Sequence, residues 1–119
     1  MDVIDVCEKI ENKIKQLTVL RKELDECLEP KVVASANYDK ELGKVLIQLK
    51  NGVGFTLDGN MISSPQATIM DKIAKAVCWN EKLTMEKTET MYRNVQSKID
   101  IVKAQLNAYQ SIFRNMKEI

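Results

Sequence analysis

Histidine is missing from all 119 residues, which excludes Ser-His-Asp and Cys-His catalysis and any zinc site that needs imidazole. Proline occurs twice and glycine four times, so little of the chain is marked as turn or loop. Aromatic residues make up 5%, too few for the stacking platforms on which single-strand nucleic-acid binders hold bases. The three cysteines, Cys7, Cys27 and Cys78, include no C-x-x-C pair and are odd in number. Buried free thiols in a reducing compartment are the expectation. Neither sign of charge is in excess: 18 basic and 17 acidic side chains leave a net +1, so no overall field draws the chain to nucleic acid or an anionic membrane. No apolar run nears the ~18 residues of a membrane span. The start, MDVIDVCEKIENK, carries acidic residues where a secretory signal would carry basic ones. A single soluble, cytoplasmic domain is expected, with no membrane, metal or cofactor.

What the chain does have is helical periodicity. Val3, Cys7, Ile10, Ile14, Leu17, Leu20, Leu24 and Leu28 recur at spacings of three and four, an amphipathic helix over residues 1–29 with Asp2 near its positive end. Glu29-Pro30 predicts a kink or a short break, because proline disfavours helical geometry in the residue before it. A helix over 31–50 follows, with Tyr38, Leu42, Val45, Leu46 and Leu49 on its apolar face and small residues in VVASAN; Asn51-Gly52 supplies its left-handed C-terminal cap.

Three of the four glycines lie in GVGFTLDGNMISSPQ, residues 52–66. A phosphate-binding P-loop needs Lys and a hydroxyl residue after its last glycine, but NMIS follows Gly59; dinucleotide-fingerprint spacing and EF-hand carboxylates are also missing. Val53, Phe55 and Leu57 alternate before Asp58-Gly59, and Met61 and Ile62 follow. The loop over 51–64 therefore reads as a turn or mini-hairpin. Ser64 reads as an N-cap and Pro65 as the first residue of a helix over 65–119, about 80 Å long at ~1.5 Å per residue. Its second half carries the stripe Tyr92, Val95, Ile99, Val102, Leu106, Tyr109, Phe113 and Met116, and residues 80–90 form a polar waist, solvated or bent.

Such a stripe must be covered, since each side chain is worth roughly 1.5–3 kcal/mol when buried. Folding back at the glycine loop lays 31–50 beside 65–84 and the first helix beside Tyr92–Met116. The expected fold is all-α, an antiparallel helical hairpin with a kinked first arm and a long last helix. Residues 2–29 carry five basic and eight acidic groups, residues 81–119 seven and five, which favours that register. Off the main stripes lie Val6, Val19, Ile101, Ile112 and Ile119, and, nearer the loop, Val33, Ile47, Ile69, Ile73 and Val77. A second apolar face predicts a homo-oligomer, a dimer making a four-helix assembly, with Ile69, Ile73, Val77, Ile101 and Ile112 in its interface.

Candidate site residues are few. Phe55, Met61 and Ile62 at a hairpin tip, with Trp79, form a candidate docking patch for a protein partner; a lone helical Trp is more often a core or interface anchor than a substrate stacker. Arg93, Lys103 and Arg114, ten and eleven apart, read as a solvated face or as a phosphate-contacting strip. Glu86 and Glu89 share helical spacing, but amid Lys82, Lys87 and threonines they read as surface charge. No nucleophile, base and oxyanion donor assemble into one constellation, so an enzyme is not expected.

The segments YDKELGKVLIQLKNG, AKAVCWNEKLTMEK and VKAQLNAYQSIFRNMKE resemble those of small all-helical proteins encoded in the early regions of phages and prophages, often near recombination or single-strand-binding genes. The shared features are an aromatic-to-glycine helix before the loop and a Leu-x-x-x-Gln-Ser-x-x-Arg ending, here Leu106, Gln110, Ser111 and Arg114; the likeness covers residues 31–119. DGNMISSP departs from the usual loop. The resemblance supplies a context and no catalytic residues; the function expected is that of a non-enzymatic phage or prophage interaction protein, in a bacterial host cell, that binds a protein of the replication, recombination or host-defence machinery. The alternative is a nucleic-acid-binding recombination accessory protein using the basic strip.

Overall fold

A computed structural model describes residues 2–118, with side chains through Lys117. The chain is mostly helical: α1 (Val3–Lys50), β1 (Phe55–Leu57), β2 (Asn60–Ile62), α2 (Ala67–Val77) and α3 (Trp79–Glu118). Asp2 caps α1, its Oδ1 accepting the Asp5 N–H at 2.8 Å, the usual service of an N-cap carboxylate to the third helical residue.

α1 runs unbroken through Pro30, so no short break separates 1–29 from 31–50. Proline removes one bond, to the carbonyl of Glu26; both residues are exposed, so the orphan carbonyl is not sealed in a core, where it would cost most. Apolar anchors on both sides hold the helix through it: Leu24 and Cys27 before, Ala34 and Tyr38 after.

The helix ends as its sequence predicts. Gly52 adopts φ +83, its N–H donating to the Leu49 carbonyl at 3.1 Å and the Val53 N–H to that of Gln48 at 2.9 Å, the paired bonds of a Schellman motif. Asp58 (φ 48) and Gly59 (φ 81) form the hairpin turn, both left-handed as a type I′ turn requires. The register is Phe55↔Ile62, Thr56↔Met61, Leu57↔Asn60.

The expected helix over 65–119 is corrected at two places. Ser64 is left-handed (φ 47) and Gln66 is the N-cap, extended at ψ 144, so helix begins at Ala67 and not at Pro65. The second correction is at Cys78 (φ −90, ψ 24), which separates α2 from α3. The interruption is local: Cys78 N–H donates to the Ala74 carbonyl and Lys82 N–H to that of Cys78, both at 3.0 Å. The polar waist at 80–90 stays helical. There Thr84 Oγ1 donates to the Asn80 carbonyl, and Thr88 Oγ1 to those of Thr84 and Met85. Hydroxyls satisfied by their own helix need no partner.

The chain divides into two compact units, residues 29–89 and a unit of 2–28 with 90–118. In the unit of 29–89, Tyr38, Val45 and Leu49 of α1 pack with Ala74 and Cys78, and Phe55, Met70, Ile73, Val77 and Met85 close around them. The pairing of 31–50 with 65–84 is therefore realised.

In the other unit, Leu17, Leu20, Leu24 and Cys27 meet Val95, Ile99, Val102 and Leu106, antiparallel, as the stripes predict. Val6, expected on the outer face, is fully buried; it sits three turns before Leu17 and about 20° from it around the helix. Val3, Ile14 and Leu28, expected inside, are exposed. Ile119 lies outside the described residues.

Of the three free thiols, Cys78 is buried while Cys7 and Cys27 are only half-buried. Burial pushes the Cys78 thiol above its ordinary value of 9.0, and the Glu81 and Glu41 carboxylates add to it. Iodoacetamide at pH 8 is expected to alkylate Cys7 and Cys27 and spare Cys78 until the chain unfolds, read by mass spectrometry of peptides. A raised thiol keeps its proton in the native state after the unfolded chain has released it, so this group's contribution is intact below about 9 and declines as pH rises further. Equal labelling of all three cysteines in native protein would contradict this burial.

Candidate functional site

The hairpin's two faces differ. Phe55 packs on the core of its unit, and its cross-strand partner Ile62 is half-buried, so this pair plugs the hairpin onto the helices and does not form an exposed tip. The opposite face carries Thr56 and Met61. Met61 is 71% exposed, and its Sδ lies over Gly54, where a Cβ would approach it to 2.9 Å.

Trp79 opens α3 and is 63% exposed, so it is no core anchor. It stands one helical turn beyond Ala76, and the two line a cleft of about 490 Å³ with Thr56, Leu57 and Asp58 of the hairpin. Leu83, one turn further along α3, is also exposed. Of the four expected docking residues the structure thus leaves Met61 and Trp79 on the surface. Thr56, Leu57, Asp58 and Ala76 are not legible in the sequence as site residues, because hairpin and helix meet through tertiary packing alone.

The cleft can grip an apolar side chain against the indole, with Asp58 as its only ionisable wall. It holds no nucleophile paired with a base. Among the described residues no group of His, Cys, Asp or Glu could hold a metal ion, and no helix is long and apolar enough to cross a membrane.

Arg93, Lys103 and Arg114 are exposed on α3. Lys103 and Arg114 align, but Arg93 falls about 80° away around the axis, and Lys103 shares its shallow groove with Asp100. Arg93, Glu86 and Glu89 each engage a neighbouring group. The three basic groups therefore make no continuous positive strip.

Of the expected oligomer residues, Ile69, Ile101 and Ile112 are exposed. Ile73 and Val77 are not: both pack against the core of their unit, because α2 is covered by the hairpin as well as by α1 and buries a wider stripe than one partner helix requires.

No family model, curated protein or solved structure matches the chain.

Proposed function

We propose that the chain is a non-enzymatic interaction protein whose Trp79 cleft takes an apolar side chain of a protein partner. The observation that carries this reading is the exposed indole, held at a helix start and walled by the hairpin. A large aromatic ring left in water is the residue type that most often dominates binding energy when a partner covers it. The rigid I′ hairpin keeps the cleft preformed, which lowers the ordering cost of binding. Asp58 favours a partner with a basic group beside its apolar anchor. The resemblance to phage and prophage early-region proteins supplies the context: the partner proposed is a protein of the replication, recombination or host-defence machinery of a bacterial cell.

The test is affinity capture with the wild-type chain and with Trp79→Ala. A loss of roughly 2 kcal/mol or more, about 30-fold in Kd, is expected for a central aromatic anchor, with the melting temperature unchanged because the indole buries little of itself in the fold. A captured partner that binds Trp79→Ala and Met61→Ser as tightly as wild type would refute the assignment of this face.

A further inference from the structure

In the unit built from residues 2–28 and 90–118, an open groove of about 450 Å³ runs between α1 and α3, with Val19, Leu20, Ile101 and Val102 along it and Lys15 and Lys98 at its edges. Val19 is 57% and Ile101 58% exposed. Beyond Lys103, α3 continues without charge at neutral pH: Ala104–Phe113, AQLNAYQSIF, is ten residues with no acidic or basic side chain, and Ile112 near its end is exposed. In a chain that is 29% charged, an uncharged helical stretch of nearly three turns with alanines at 104 and 108 suits close approach of another helix more than it suits water.

We infer that this groove is the interface of an antiparallel homodimer, with α1 against its own copy about a two-fold axis at Val19 and α3 against its own copy about Ile101. The charge pattern selects this occupant and this geometry. Lys15 and Glu23 lie one turn to either side of Val19, about 40° from it around the helix on opposite sides. A two-fold axis at residue 19 therefore sets Lys15 opposite the partner's Glu23, twice, and Lys22 opposite Gln16. The same axis on α3 sets Lys98 opposite Ala104 and Asn94 opposite Ala108, with no like-charge contact. Stacking α1 on the other copy's α3 instead would bring Lys22 and Lys98 together.

Nothing in this inference depends on the Trp79 cleft, which belongs to the other unit.

The two-fold axis places residue 19 opposite itself, which gives a direct test. With Cys7 and Cys27 replaced by serine, Val19→Cys is expected to oxidise to a covalent dimer, while Ile47→Cys, equally exposed but in the other unit, stays uncrosslinked. By analytical ultracentrifugation the wild type should sediment at twice 13.6 kDa. Lys15→Glu should weaken association by roughly tenfold, since it turns two exposed attractive pairs repulsive, and adding Glu23→Lys should restore it. A monomer at ~100 μM, at the weak end of specific association, would overturn the proposal, as would crosslinking of Ile47→Cys instead or a Lys15→Glu defect that Glu23→Lys does not rescue. A monomer whose captured partner is lost on Val19→Glu would assign the groove to a foreign helix and equally overturn it.

Discussion

Leu49→Ala is expected to lower the stability of the unit spanning 29–89 by about 2–5 kcal/mol. Leu49 is 1% exposed and lies in the last turn of α1, packed in the cluster that joins this helix to Ala74 and Cys78. Truncation removes the transfer energy of three carbons and leaves a cavity, and the site has little freedom to collapse. Its own carbonyl accepts from Gly52, and that of its neighbour Gln48 accepts from Val53, so the backbone is pinned by the Schellman cap. Urea denaturation followed by circular dichroism checks it: the midpoint should fall with an unchanged slope. A loss below about 1 kcal/mol, the range of surface substitutions, would mean that Leu49 is not the keystone its burial indicates.

The second large effect is expected from enlarging a side chain. Ala74 is 0% exposed, and its small volume sets how closely α2 approaches α1. Ala74→Leu must find room for three more carbons in a packed interior, at a cost of about 1–3 kcal/mol. Ala76→Leu is the matched control, two residues away but exposed in the Trp79 cleft. It should leave stability within about 0.5 kcal/mol while narrowing the cleft. Equal melting temperatures for the two variants would argue against the packing of α2 described here.

Where a conformation is decided by a few adjacent residues, the amino-acid sequence was sufficient. Asp58-Gly59 can hardly do other than turn, Gly52 ends a helix, and the spacing from Val95 to Leu106 admits one inward face. What depended on packing at a distance was hidden. Pro30 is a helix breaker by local preference, yet it stays helical because anchors on both sides outweigh one missing hydrogen bond. Ser64-Pro65 looks like a helix start, but the chain leaving the hairpin needs a left-handed residue at 64 and an extended one at 66 before helix begins. Ile73 and Val77 read as a second, outward face only if α2 has one partner, and it has two, α1 and the hairpin. Phe55 shows the same limit: alternation placed it on one face of the hairpin, and only the fold showed that this face is the inner one. For the candidate site, Trp79 and Met61 were legible as unusual side chains, whereas the cleft between hairpin and helix follows from how α2 and β1 come together.

The two compact units also differ in how far along the chain their cores reach, and this bears on the route by which the protein assembles. Leu49 and Ala74, in the core of the unit of 29–89, are separated by about 25 residues, whereas Leu17 and Val102 of the other core are about 85 apart. With closure entropy growing as the logarithm of loop length, the wider closure costs about 1 kcal/mol more when attempted from the unfolded chain. The shorter closure, begun at the Asp58-Gly59 turn, is therefore expected to form first. Once residues 29–89 are formed, the remaining search shortens from the whole chain to two flanking segments. The hairpin that walls the Trp79 cleft is thus also the place where the chain is expected to commit first to its fold.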